Sequence, residues 1–325
     1  MKPIVLCIAI LYASAGTAAD QTLRSDALML FGRIEAPSSA SLSSVEVQLG
    51  RALFWDTRLS LDGKTACASC HFAENWGADP RQASIDARGK PTSRHSPTIF
   101  NSMGQPTLRW LGDRKSGADQ AEGSMTGSMG FDSKQAALDK LRELQYSMSF
   151  RAAYPGDAEP LSAANYGRAL EAYQATLTTP APFDRFLAGD EGALTAQQTA
   201  GLRAFVATGC AACHSGALFG GTLLQKFGVV KDYWLETGAA KPDIGRFAMT
   251  QKEEDRYVFR VPMLRNIVKT APYFHDGSVA TLERAIRVMA AVQLGKALDD
   301  ATVAQIAAFL ESLTGEVPAH YAPPR

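Results

Sequence analysis

Cys67-Ala68-Ser69-Cys70-His71 and Cys210-Ala211-Ala212-Cys213-His214 repeat one pattern, C-x-x-C-H. It is the attachment site of a c-type haem: two thiols close thioethers on the porphyrin vinyl groups and the adjacent histidine ligates the iron. A chain that carries it twice has to build its fold around two irons. The chain has five cysteines, and the fifth, Cys7, lies in the apolar run near its start. A disulfide within each motif would close a tiny strained loop. Zinc would find each Cys-Cys-His set one ligand short of a closed structural site. Two covalently bound c-type haems are therefore expected.

Residues 1–19 read as a secretory signal: Lys2, an apolar run from Ile4 to Ala13, and small residues ending Thr17-Ala18-Ala19. The run is too short to span a bilayer, and no membrane anchor is expected. Export agrees with the motifs, because covalent c-type attachment is made outside the bacterial inner membrane, so a periplasmic location is expected. Lys+Arg and Asp+Glu are both 33, a balance that suggests no nucleic-acid or membrane-surface partner.

Helical periodicity dominates and period-2 alternation is almost absent, so the fold is expected to be mostly α. Residues 43–60 open with a helix capped by Ser43 or Ser44, with Val45, Leu49 and Leu53 on its apolar side. Residues 72–102 read as a long loop pinned by the first haem. Helical pattern returns over 133–152 and 162–179, where Tyr166, Leu170, Tyr173 and Leu177 form a core stripe. Thr179-Pro180-Ala181-Pro182 and the following Gly189-Asp190-Glu191-Gly192 suggest a junction, giving domains over 20–180 and 181–325. Thr195 and Gln198 form a capping box ahead of the second motif. Further helices are expected over 282–294 and 302–313, with an irregular tail after Pro318. Each motif thus follows a helix, as in a cytochrome c domain used twice.

Each motif histidine fills one axial position, and the other position decides the chemistry. Besides His71 and His214 the chain has His95, His275 and His320. Met289 suits a sixth ligand of the second iron, or packs as part of its helix's apolar stripe. His275 lies in Tyr273-Phe274-His275-Asp276-Gly277 and can partner a haem propionate or simply the backbone. Trp110 can relay an electron between two centres or be an ordinary buried indole. His320, in the tail, is expected to be exposed.

The stretches LGRALFWDTRLSLDGKTACASCH, SPTIFN, TPAPFDRFLAGDEGALTAQQTAGLRAF, GCAACHSG, LLQKFGVV, VPMLRN, TAPYFHDGSVATLERAIRVMAAVQLGKAL and IAAFLESLTGE resemble the bacterial dihaem cytochrome c peroxidases and, more distantly, the MauG enzymes that oxidise a protein substrate. The resemblance covers most of the chain after the leader. It implies two cytochrome c-like domains packed face to face, with a peroxide-reacting haem in the N-terminal one and an electron-transfer haem in the C-terminal one. By position His71 and His214 are proximal ligands, Met289 the peroxidase-type methionine ligand, Trp110 the tryptophan between the haems, and Thr270 and Pro272 the carbonyl ligands of an interdomain calcium. MauG-like enzymes have a tyrosine in place of Met289.

Three departures lie in the N-terminal half. His95 stands where the family has an asparagine ligand, and imidazole is a poor ligand for calcium, which puts that ion in doubt. Asp86-Ala87-Arg88 aligns with the loop that often carries a removable distal histidine. Ser128 stands where a carboxylate moves a proton during peroxide cleavage, with Glu122 as its substitute if the segment 123–130 folds inward. The leading expectation is a periplasmic dihaem peroxidase that reduces hydrogen peroxide with electrons from a small cytochrome c or cupredoxin. The alternatives are a MauG-like oxidase acting on a partner protein, and a non-catalytic electron carrier or sensor with His95 or Met129 capping the first iron. A homodimer is one assembly considered.

Overall fold

The computed structural model describes residues 22–239 and 241–324. The leader over 1–19 lies outside the described residues. The chain is mostly helical, with one small antiparallel sheet of Leu224–Lys226 (β1) against Val258–Arg260 (β2), Gln225 opposite Phe259.

Two helix crossings repeat the same contact. Val45–Trp55 (α1) is capped by the Ser44 side chain, which accepts the Val47 N–H at 3.2 Å. Its face of Val47, Leu49, Leu53 and Phe54 is buried, while Val45, at the first helical position, is exposed. α1 crosses Ala163–Ala175 (α3) at Gly50, where a Cβ would stand 1.9 Å from the Ala169 carbonyl oxygen and 2.8 Å from Tyr173 Cβ. In the second half Ala196–Thr208 (α4) starts from the Thr195/Gln198 capping box. It crosses Asp300–Glu311 (α6) at Gly201, where a Cβ would stand 1.9 Å from the Gln305 carbonyl oxygen and 2.8 Å from Phe309 Cβ. Glycine is required at both positions because the backbones touch there.

Gly117–Thr126 (α2) packs on α3, and Leu282–Leu294 (α5) on α6. The expected helix over 133–152 is broken into Lys134–Glu143 and Ser147–Ala153, and α6 begins two residues before its expected start because Asp299 accepts the Thr302 N–H at 2.7 Å as cap. One apolar cluster gathers α1, α2 and α3; another gathers Phe183, Phe186, α4 and α6. The chain ends cross between them. Phe31 packs in the second cluster, and Tyr321, from the tail, packs in the first against Phe54, Trp55 and Phe100. His320 is correspondingly not free in solvent: its Nε2 lies 3.0 Å from Thr176 Oγ1. Beneath the second cluster Arg265, with no exposed side-chain surface, makes a two-pronged pair with Asp184 at 2.6 and 2.9 Å.

Candidate active site

Both C-x-x-C-H motifs fold as single tight turns. Cys70 N–H bonds the Cys67 carbonyl and Cys213 N–H the Cys210 carbonyl, each at 3.2 Å. No disulfide joins the four cysteines. Burial pushes the Cys67 thiol up to about 12 and that of Cys210 up to about 11. Neutral thiols of this kind are neither redox-active thiolates nor prepared zinc ligands.

The two histidines are held alike. His71 Nδ1 lies 2.8 Å from the Gly77 carbonyl oxygen and His214 Nδ1 lies 3.0 Å from that of Phe219. A carbonyl can only accept, so Nδ1 carries the proton and Nε2 keeps its lone pair for a metal. Burial lowers the pKa of both imidazoles and favours this neutral form.

Both histidines line one cavity of about 540 Å³. Cys67, Cys70, Cys210, Cys213, Trp110, Thr270, Pro272, His275 and Met289 line it too. Around Met289 the wall is apolar: Phe227, Phe259 and Phe274 line it, and Val288 and Val292 belong to the same cluster as Met289 and Trp110. Towards His71 the wall is polar, with Arg114, Gln120, Ser124 and Ser128. Arg260 also faces the cavity and is 4% exposed. Its guanidinium bonds the Arg109 carbonyl at 2.8 Å and the Gln105 side chain, and among the described residues no carboxylate pairs with it. Desolvation draws its pKa down to about 10. A large, mostly apolar cavity with two imidazole lone pairs, four thiols not tied up in disulfides and a buried cation without a counter-charge fits two c-type haems with acidic propionates.

Between the motifs, Trp110 Nε1–H donates to the His95 carbonyl at 2.8 Å, and His95 N–H donates to the His275 carbonyl at 2.8 Å. The His275 ring, 2% exposed, stacks on Phe259 with centroids 4.1 Å apart. Its Nε2 is 3.4 Å from Tyr233 Oη and 3.9 Å from Asp243 Oδ2, and Asp243 is itself paired with Arg94 at 2.7 Å. The neighbouring carboxylate noted in the sequence, Asp276, instead bonds Ser278 within its own turn.

The geometry changes one expectation and places two of the departures noted in the sequence. Glu122 does not line the cavity: α2 runs through Thr126, and its carboxylate pairs with Lys134 Nζ at 2.6 Å. Residues two apart on a helix point differently, so Gln120 and Ser124 are the side chains that face inward. The His95 imidazole is committed through Nε2 to the Asp79 carbonyl at 2.7 Å, so beside Thr270 and Pro272 it offers no oxygen ligand. The donors present do not fit a calcium ion. Asp86-Ala87-Arg88 is closed over the turn after α2 by Ala87 N–H to the Ser128 carbonyl and Arg88 Nε–H to the Gly130 carbonyl, both at 2.9 Å. Arg114, Gln120 and Arg260 escaped the sequence reading, because a lone polar residue outside a motif carries no signal of facing a cavity.

Comparison with known proteins agrees with this geometry. Residues 44–192 match the family described as di-haem cytochrome c peroxidase. The chain is 41% identical over 282 residues to a cytochrome c551 peroxidase of Pseudomonas aeruginosa, covering 85% of this chain and 81% of that protein. It is 36% identical over 274 residues to the cytochrome c551 peroxidase of Nitrosomonas europaea, covering 83% and 80%. A solved MauG-like protein associated with microbial copper homeostasis superposes with a TM-score of 0.75 at 29% identity, covering 90% of this chain and 96% of that one.

Proposed function

Since the chain belongs to the bacterial dihaem cytochrome c peroxidase and MauG family, we propose that it is a periplasmic peroxidase that reduces hydrogen peroxide to water with electrons from a small cytochrome c or cupredoxin. The observation that carries this reading is the one cavity that His71, His214 and Trp110 all line. When bound, the two haems supply an iron that reacts with peroxide and a second iron that stores an electron.

The residues divide the work. Cys67 and Cys70 attach the first haem and His71 Nε2 ligates it; Cys210, Cys213 and His214 do the same for the second. Domains over 20–180 and 181–325, with exchanged chain ends, face each other across the cavity. Met289 would supply a thioether ligand for the second haem from an apolar wall of Phe227, Phe259 and Phe274, which excludes water and favours a retained ligand. The polar wall of Gln120, Ser124 and Ser128 serves the peroxide side. Arg260 holds a propionate, because a buried cation without a counter-ion is costly unless the bound group provides one. Trp110, fixed by its bond to His95, lies on the electron route. The overall reaction takes two electrons and two protons per peroxide and yields two waters.

Steady-state oxidation of a pre-reduced small cytochrome c on adding peroxide tests this reading. Turnover supports it. Peroxide consumption that leaves the reduced cytochrome untouched overturns it in favour of oxidation of a partner protein, the reading that Ser128 at the carboxylate position would support and that Met289, in place of tyrosine, opposes.

A further inference from the structure

The peroxide side of the cavity has no carboxylate at Ser128, and Glu122 is held at the surface by Lys134. What it does have is a guanidinium. Arg114 lines the cavity, and its Nε is buried without a hydrogen-bond partner. The carboxylate paired with it, Asp119, lies 3.9 Å from Nη1. Two acceptors lining the same cavity, Gln120 Oε1 and Asp113 Oδ1, are also buried and unpartnered, although the other Asp113 oxygen pairs with Arg109 at 2.8 Å. Three polar atoms without a protein partner line one cavity, and a small oxygen ligand with both donor and acceptor capacity can bond to them.

The position of Arg114 depends on one glycine. A Cβ on Gly123 would stand 2.7 Å from Arg114 Nη2 and 3.0 Å from its Cζ. The guanidinium therefore lies directly against α2, the helix that carries Gln120 and Ser124 into the cavity. α2 shares its apolar cluster with Cys67 through Ala121 and Met125, so Arg114 belongs to the first motif's side.

We propose that Arg114 is the substrate-binding and charge-stabilising residue of this site, replacing a carboxylate with a cation; the proposal rests on the peroxidase reading above. Its Nε–H donates to one peroxide oxygen while Gln120 Oε1 accepts from a peroxide O–H. When the O–O bond breaks, the bonding pair goes to the oxygen beside Arg114, whose positive charge stabilises it until it leaves as water with one proton from solvent, while the other oxygen takes up the two electrons and a second proton and leaves as the second water. The two electrons come from the reduced cytochrome or cupredoxin. A guanidinium does not relay a proton at neutral pH, so the gain is electrostatic.

Fluoride is the probe, because it binds ferric haem as a small anion that accepts hydrogen bonds. Its affinity is read optically on the oxidised and one-electron-reduced holoprotein for the wild type, Arg114→Leu, Arg114→Lys and Gly123→Ala, with haem content and melting temperature as folding controls. The proposal expects Arg114→Leu to weaken fluoride about ten- to hundredfold, the range of a charge-assisted hydrogen bond, and Arg114→Lys to retain part of the affinity. Gly123→Ala should weaken it as well, since the added methyl displaces the guanidinium without removing its charge. Wild-type affinity in both Arg114→Leu and Gly123→Ala overturns the role of Arg114 and leaves the peroxidase reading standing. Failure of the wild type to bind fluoride in either state, alongside absent turnover, overturns both.

Discussion

Trp110 gives its indole N–H to the backbone carbonyl of His95 at 2.8 Å, and that same residue gives its own N–H to the His275 carbonyl at 2.8 Å. The tryptophan between the two motifs is thus held by backbone from both halves of the chain. Trp110→Phe keeps a ring but leaves the His95 carbonyl without its donor, at a cost of about 1–3 kcal/mol. Denaturant unfolding of the holoprotein should show that loss. Trp110→Ala should, in addition, slow peroxide-driven oxidation of the second haem in rapid mixing while the first haem still reacts; equal rates in the variant would take Trp110 off the electron route.

Met289 is half-buried among aromatic and aliphatic side chains rather than fully packed away, as suits the iron ligand proposed above. Met289→Ala is expected to lower the second haem's reduction potential by on the order of 100 mV and to change its low-spin spectrum. A potentiometric titration that superposes on the wild type would return Met289 to simple packing.

His95 ties the Asp79 carbonyl, Trp110 and His275 together through three hydrogen bonds. Activity and melting temperature should therefore be unchanged by a calcium chelator and by added calcium. His95→Ala should lose about 1–3 kcal/mol, as the Asp79 carbonyl is left buried without a donor. A chelator-induced loss of activity restored by calcium would refute this account of the junction.

Asp62 fixes the turn that leads into Cys67. Burial opposes ionisation, but the Lys64 and Thr65 N–H groups and the Ser60 and Thr65 hydroxyls outweigh it and draw the carboxyl down to about 2. With the folded value below the unfolded one, its stabilisation is complete above the ordinary carboxylate range and is lost as pH falls from about 4 towards 2. The melting-temperature difference between wild type and Asp62→Asn should shrink over that window; a difference constant in pH would show that ionisation of Asp62 contributes nothing.

Much of this was legible in the residues. The caps at Ser44 and Thr195 and the stripe of Tyr166, Leu170 and Tyr173 follow from local chemistry, and the structure bears them out. The haem motifs could be read because thioether attachment demands a fixed spacing. Gly50 and Gly201 could not, since a glycine in a helix gives no sign of the backbone it touches. Tyr321 packs beside residues distant in sequence, which no window of periodicity detects. Glu122 looked like the available acid by proximity in sequence, yet two positions on a helix separate a cavity-facing side chain from a surface one.

The central claim is that the two haem sites act as one unit across a shared cavity. Fully reduced holoprotein titrated anaerobically with hydrogen peroxide, each haem followed by its own absorption band, tests it most directly. The account predicts that one equivalent of peroxide oxidises both haems together, one electron from each. Oxidation of the first haem alone at that stoichiometry, with the second still reduced, would contradict it.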